Sequence, residues 1–185
     1  MADRTPKRLD MDALWAYALK VLGARGHSTG ELREKLRTRA ERETDVVILI
    51  DRLKECEYLN DALFAENFAA ARLSDGDYGR TRVILELRQR RVPAELAQQT
   101  VDRIFQGVDD EARIEEWLRR KYRTASREGL LQSQKEMSAV YRRLIRAGFG
   151  TAPSLRVLKR FAANPELLDG VDETDLQSGE AEALS

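Results

Sequence analysis

The sequence predicts an all-α protein built from tandem repeats of three-helix units, and three observations support this fold class. Ala, Leu, Arg and Glu dominate the 185 residues, whereas Pro and Gly number only 4 and 11, a usage typical of helices. Apolar residues recur at helical spacing along most of the chain. One apolar register also returns twice, which is the sequence signature of a repeat protein.

The repeated register consists of five positions in each repeat. They are Leu32, Leu36, Val47, Ile50 and Leu53, then Val83, Leu87, Gln98, Val101 and Ile104, and finally Val140, Leu144, Leu155, Leu158 and Phe161. Successive sets are shifted by 51 and 57 residues, and only Gln98 is not apolar. The predicted divisions are a mobile lead-in over 1–10, helical repeats over 11–59, 60–107 and 108–164, and an acidic, disordered tail over 165–185.

Three helices are expected in the first repeat. The first should run from about Met11 to Ala24, where apolar residues follow one face. Ser28 and Glu31 have the spacing of a capping box, which predicts the start of the second helix. Thr44 is the predicted cap of the third helix. The apolar run 46–50 is rich in β-branched residues and could form a strand, but the helical period continues beyond it and favours the helix.

The turn between the first and second repeats organises the sequence around it. Tyr58 and Leu59 are predicted to anchor this turn with apolar side chains. Asn60 or Asp61 can cap the helix that follows, because both side chains accept hydrogen bonds from free helical amides. Phe64 would then open the buried face of that helix.

The later repeats carry similar start and stop signals. A Gly- and Asp-rich loop over 74–79 precedes a helix predicted over Arg80–Arg90, and Pro93 suits the first turn of the next helix. In the third repeat a helix should begin near Asp109 and lead to a long loop over 124–131. The last two helices are indicated by a capping box over 133–136, a terminating Gly148 and an initiating Pro153.

The formal net charge of zero averages two different segments. Seven acidic residues and no basic ones follow position 165, so residues 1–165 hold all 32 basic residues against 25 acidic ones, a net charge of +7. This asymmetry favours a polyanionic partner or an acidic protein surface for the body. A solvated tail beside ordinary charged helix surfaces is the alternative interpretation.

The chain offers little material for catalysis or ligand chemistry. His27 and Cys56 are the only residues of their types, which argues against a metal site, a catalytic triad or an internal disulfide. His27 should be solvent-exposed or bonded locally, and Cys56 a small packed residue. No glycine pattern indicates a phosphate-binding loop. We therefore expect a cytoplasmic protein that is not an enzyme and has no cofactor, metal, small-molecule substrate or membrane segment.

Several motifs together resemble the RecX family of bacterial regulatory proteins. They are Tyr58-Leu59-Asn60-Asp61 with Phe64-Ala65, Gly79-Arg80, Glu86-Leu87-Arg88-Gln89, and Arg146-Ala147-Gly148-Phe149. The resemblance spans about Ala13 to Phe161. The family usually has Gly where Glu57 and Arg91 stand, and Asp where Asn60 stands.

This resemblance implies a protein that regulates the RecA recombinase in DNA recombination, DNA repair and the SOS response. Family members form an elongated, curved body that lies in the groove of the RecA filament on single-stranded DNA. There they inhibit ATP hydrolysis, filament extension and strand exchange. We accordingly expect a monomer that binds this filament, with at most weak direct contact to DNA.

Clusters of basic residues are the candidate contacts to the recombinase or to DNA phosphates. They are Arg80, Arg82, Arg88, Arg90 and Arg91, then Arg119, Arg120, Lys121 and Arg123, and finally Arg142, Arg143 and Arg146. For any single arginine, a solvated helix surface remains the alternative. Another possible function is direct DNA binding by a helix-turn-helix-like module, because three short helices with a basic member can adopt that arrangement.

Overall fold

The computed structural model describes residues 8–122 and 134–161, which form helices joined by short turns. The helices are α1 (Met11–Ala24), α2 (Thr29–Arg37), α3 (Glu43–Glu55), α4 (Asp61–Asp75), α5 (Arg80–Gln89), α6 (Ala94–Ile104), α7 (Asp110–Lys121), α8 (Gln134–Arg146) and α9 (Thr151–Phe161). The predicted all-α fold of helical repeats is confirmed. No helix within the described ranges is long and apolar enough to span a membrane.

The chain divides into two compact units. The N-terminal unit comprises residues up to Phe68 together with Leu87–Thr100, and the C-terminal unit comprises Ala69–Glu86 and the residues from Val101 onwards. The helices of repeat two therefore contribute residues to both units. The three-repeat boundaries rest on the sequence register and stay a prediction.

The core of the N-terminal unit is formed by α1, α2 and α3. Its buried residues are Leu14, Ala18, Leu32, Leu36, Ala40, Val46, Leu49, Ile50, Leu53 and Leu59. The apolar run is not buried along its whole length, because the register residue Val47 and its neighbour Ile48 are 50% and 57% exposed. An apolar run covers more than one face of a helix, and the stripe that packs is Val46, Leu49, Ile50 and Leu53 at helical spacing.

Capping explains where the first helices begin. Asp10 accepts a hydrogen bond from the Ala13 amide at the start of α1, whose bounds match the prediction. The capping box of Ser28 and Glu31 is confirmed in both directions. The predicted Thr44 cap is wrong, because α3 starts earlier and Thr44 lies within its first turn.

The end of the predicted mobile lead-in is held by the turn after α2. The Leu9 amide donates to the Arg39 carbonyl at 2.7 Å, and the Leu9 carbonyl accepts from the Glu41 amide at 3.1 Å. Arg8 also donates to the Ala40 carbonyl at 2.9 Å. Residues 1–7 lie outside the described ranges.

The core of the C-terminal unit is formed mainly by α7, α8 and α9. Its buried residues are Ile114, Trp117, Leu118, Met137, Val140, Tyr141, Leu144, Ile145, Phe149, Val157, Leu158 and Phe161. Both register residues of α8, Val140 and Leu144, belong to this core. The predicted loop over 124–131, the cap at Ser133 and the tail from 165 fall outside the residues that the structure describes.

Three helices end in the same left-handed turn. After α3, α5 and α8, the residues with positive φ are Glu57 (59°), Arg91 (61°) and Gly148 (85°). Each turn carries the paired backbone bonds of a Schellman motif, such as Arg91 N to Arg88 O at 2.8 Å and Val92 N to Leu87 O at 3.1 Å. Glycine adopts this conformation freely, whereas other residues are strained there.

Candidate functional site

The turn over 57–61 is built by hydrogen bonds to two neighbouring helices. The Asn60 side chain accepts from the Leu63 amide at 3.0 Å and caps α4. The Asp61 carboxylate instead accepts from the Thr29 amide at 2.7 Å. Leu59 is buried as predicted, but the predicted apolar anchor Tyr58 is wrong because its side chain is 56% exposed.

The remaining motif residues pack in different ways. Ala65 is fully buried within α4, whereas Phe64 is only half-buried and lies over Gly26. Gly79 begins α5 against the turn after α8, where its amide donates to the Ala147 carbonyl at 2.8 Å. A Cβ on Gly79 would lie 2.1 Å from the Gly148 carbonyl oxygen. The Gly79 position therefore admits only glycine without movement of the backbone.

The Glu31 carboxylate, at the start of α2, interacts with several neighbouring side chains. Glu31 lies 3.4 Å from Arg25 and 3.3 Å from Arg90. Burial alone would raise the pKa of Glu31, but its bonds to Arg25, the Ser28 amide and Arg90 hold it below the usual value. His27 is buried, with Nδ1 3.4 Å from Glu31. Burial, reinforced by the charge of Arg25, lowers the pKa of His27.

The first cluster of candidate arginines is divided between the two compact units. Arg80 and Arg82 belong to the C-terminal unit, where Arg80 donates to the Phe105 carbonyl and Arg82 lies 3.2 Å from Glu86. In the N-terminal unit, Arg90 stacks over Phe68 at 5.0 Å in addition to its bond to Glu31. These three guanidinium groups serve internal contacts.

The other two arginines of this cluster extend into solvent. Arg88 is exposed and makes no ion pair within the part of the chain that the structure describes. The Arg91 side chain is 58% exposed and lies 3.6 Å from the Glu34 carboxylate, whose side chain is 43% exposed. Exposed pairs of this kind contribute little to stability.

The second cluster lies at the end of α7. Arg119 pairs with Glu115 and Glu116 on its own helix, at 3.1 and 3.4 Å. Arg120 donates to the Asp75 carbonyl at 2.9 Å, and both Arg120 and Lys121 approach the Asp77 carboxylate. Arg123 lies outside the described residues.

The third cluster is carried by α8. Arg142 is partly buried, whereas Arg143 and Arg146 are exposed. Arg143 donates to the Tyr122 hydroxyl at 2.9 Å, and Arg146 donates to the Arg142 carbonyl at 3.3 Å. Neither exposed arginine therefore neutralises its charge against a carboxylate in these contacts.

An open groove of about 960 Å³ lies in the N-terminal unit beside Tyr58. It is formed by the end of α1, the turn after it, the motif turn and the first half of α4. The lining residues are Leu19, Leu22, Gly23, Arg25, Gly26, His27, Glu57, Tyr58, Asn60, Leu63, Phe64, Asn67, Phe68 and Arg90. Sequence reasoning missed this groove, because helical periodicity does not reveal the space left between packed helices.

Sequence reasoning also missed a partly buried arginine in the C-terminal unit. Arg113 donates to the Tyr78 carbonyl at 2.7 Å and lies over the rings of Phe105 and Phe149 at 5.1 and 5.5 Å. Burial lowers the pKa of Arg113. An Arg within the apolar stripe of α7, one residue before Ile114, was the available signal.

Cys56 and His27 are the two remaining residues that the sequence singles out. Cys56 is exposed, so its predicted packed role is wrong. The reason is that it follows the last turn of α3 and lies beyond the helix's buried stripe. His27 is buried with Nδ1 3.4 Å from the Glu31 carboxylate, which is the local option of its prediction. Among the described residues, no three His, Cys, Asp or Glu side chains come together as a metal site requires.

Comparison with known proteins identifies the family. A family model for the second three-helix domain of RecX matches residues 60–101. The regulatory protein RecX of Deinococcus radiodurans is 32% identical over 149 residues, which cover 80% of this chain and 68% of that protein. The chain belongs to the RecX family.

Two further RecX proteins extend the comparison. The regulatory protein RecX of Cronobacter sakazakii is 37% identical over 100 residues, which are 49% of this chain and 60% of that protein. The crystal structure of RecX from Lactobacillus salivarius superimposes with a TM-score of 0.63 at 18% identity and covers 82% of this chain and 96% of that one. This second likeness shows the shared fold.

Proposed function

We propose that this RecX-family protein binds the RecA recombinase filament on single-stranded DNA in the cytoplasm and inhibits its ATP hydrolysis, extension and strand exchange. The observation that carries the proposal is the match to proteins named regulatory protein RecX. The protein acts by binding and has no catalytic role of its own.

The candidate arginines can be ranked by whether their guanidinium groups already make contacts within their own unit. A guanidinium already bonded to a carboxylate or buried carbonyl gives up that contact when it binds a partner, whereas an exposed and unneutralised one does not. On this basis Arg88, Arg143 and Arg146 are the residues proposed to contact the recombinase or DNA phosphate. Arg91 is added to them because its pair with Glu34 is exposed and long, at 3.6 Å, and is therefore weak. Several such weak contacts add up along a repeating polymer through effective concentration.

The test is single-stranded-DNA-dependent ATP hydrolysis by RecA with this protein at well below one copy per recombinase monomer. We expect inhibition by the wild-type chain. The triple variant Arg88→Gln, Arg143→Gln and Arg146→Gln should need roughly three- to tenfold more protein for half-inhibition. Arg37→Gln is the matched control, because Arg37 is as exposed but already pairs with Glu34 and Glu43.

Affinity for single- and double-stranded DNA alone is measured in parallel. Inhibition without comparable DNA binding supports filament regulation. Unchanged ATP hydrolysis beside tight, steeply salt-dependent binding to duplex DNA would reject the proposal and favour a DNA-binding module.

A further inference from the structure

The groove in the N-terminal unit has an apolar rim that the described part of the chain leaves uncovered. Tyr58 and Leu63 are 56% and 54% exposed, although both are large apolar side chains. They continue into the partly buried Phe64, Phe68 and Leu22 along the groove wall. A contiguous apolar surface with a polar edge is typical of a protein-binding site, whereas single exposed side chains are not informative.

Tyr58 contributes little to the fold at this position. Its amide donates to the Leu53 carbonyl at 2.9 Å, so the backbone forms the turn whichever side chain is present. Leu59, the next residue, supplies the buried contact. The exposed phenol therefore remains available for an intermolecular contact.

The residues that line the groove also include two arginines, Arg25 and Arg90. The Arg25 side chain is half-exposed, and its contacts with Glu31 are long, at 3.4 and 3.5 Å. Arg90 is one-third exposed, and Glu57 is the one acidic residue among those that line the groove. An occupant should therefore present apolar side chains to the rim and a carboxylate to Arg25.

A helix fits this groove better than an extended peptide. An extended segment needs partners for its backbone amides and carbonyls, usually from the edge of a sheet, and residues 8–122 and 134–161 form no strand. A helix bonds its own backbone and presents apolar residues three and four positions apart.

We propose that the groove binds an acidic amphipathic helix of a protein partner, with its apolar residues against Tyr58 and Leu63 and a carboxylate at Arg25. Taking a recombinase protomer as that partner rests on the proposed function. The groove then forms a protein contact separate from the exposed arginines, and it confers preference for the filament over naked DNA.

The test compares the double variant Tyr58→Ser, Leu63→Ser with Val47→Ser, Ile48→Ser. The control removes two equally exposed apolar side chains from α3, which does not line the groove. Affinity is measured for RecA filaments on a single-stranded oligonucleotide and for the oligonucleotide alone. The groove variant should bind filaments at least about tenfold more weakly, with unchanged oligonucleotide affinity, and the control should stay within about twofold of wild type.

Two further variants test the chemistry of the occupant. Arg25→Gln should weaken filament binding and reduce its salt dependence, whereas Tyr58→Phe with Leu63→Met should retain wild-type affinity. Groove variants that bind filaments as tightly as wild type would overturn this inference and leave the proposed function standing. A wild-type chain that does not bind filaments would overturn both.

Discussion

The two contacts between successive repeats use the same geometry with different residues. In the N-terminal unit, the start of α2 packs on the turn after α5, where the Ser28 hydroxyl donates to the Arg90 carbonyl. In the C-terminal unit, the start of α5 packs on the turn after α8, where the Gly79 amide donates to the Ala147 carbonyl. Ser28 and Gly79 differ by the 51-residue shift, and Arg90 and Ala147 by the 57-residue shift.

The two contacts differ in which of their positions are occupied by glycine. At the first contact Gly30 leaves room, since a Cβ there would lie 2.4 Å from the Arg91 Cβ, and the left-handed position is occupied by arginine. At the second contact glycine occupies both Gly79 and the left-handed Gly148. The first contact therefore retains backbone strain at Arg91, whose side chain is exposed.

The largest effect should come from Gly148→Ala. Its Cβ would lie 2.2 Å from the Arg82 amide nitrogen, in addition to the strain of a positive φ. We expect the free energy of unfolding in urea to fall by about 3 kcal/mol or more. Gly107→Ala is the control, because Gly107 also has positive φ but a Cβ there would meet nothing within 4 Å. The control should lose only about 1 kcal/mol. Equal losses would show that strain, not packing, dominates.

Gly30→Ala tests the first contact in the same way. The new methyl group would lie 2.7 Å from the Arg91 carbonyl oxygen, which is backbone and cannot rotate away. We expect a loss of about 2 kcal/mol by urea denaturation. Gly23→Ala, inside α1 with open space around it, should instead gain about 0.5–1 kcal/mol. A stable Gly30→Ala variant would show that this contact can adjust.

Arg91→Gly separates stability from function at the first contact. Glycine removes the strain at φ 61° and should raise the free energy of unfolding by up to about 1 kcal/mol. The same change removes an exposed guanidinium, so inhibition of RecA ATP hydrolysis should weaken. Arg91→Gln is the matched control, because it removes the cation but keeps a side chain at φ 61°. A variant that gains stability and keeps full inhibition would exclude Arg91 as a contact.

The sequence determined local features well and contacts between distant residues poorly. The bounds of α1 and the capping box at Ser28 depend on neighbours within one helical turn, so they could be read from the order of residues. The contact of Ser28 with Arg90 joins residues 62 positions apart. The repeat shifts relate Ser28 to Gly79 and Arg90 to Ala147. They could not show that Ser28 contacts Arg90 or that Gly79 contacts Ala147.

The candidate site was less predictable for a related reason. An arginine pattern is the same whether a side chain faces solvent, as Arg88 does, or bonds a carbonyl, as Arg80 does. Tyr58 and Leu59 were likewise indistinguishable as apolar residues of one turn. Only the path of the backbone after Glu57 buries Leu59 and exposes Tyr58.

The smallest expected difference between the two contacts is in how the stability of each depends on pH. His27 precedes the first contact, and the 51-residue shift places Tyr78 before the second. Because the pKa of His27 is lowered in the folded state, the unfolded chain binds more protons below its ordinary value of about 6.5. Stability is therefore full above that pH and declines as the pH falls towards the folded pKa.

Replacement by an uncharged side chain isolates this contribution. His27→Gln should flatten the stability profile just below pH 6.5, by less than about 1 kcal/mol, and leave the lower-pH loss from Glu31 in place. Glu31 loses its stabilising charge only as the pH falls below the carboxylate's ordinary value, because its pKa is also lowered. Tyr78→Phe, at the equivalent position before the second contact, is the control. An unchanged profile for His27→Gln would mean that His27 titrates alike in both states.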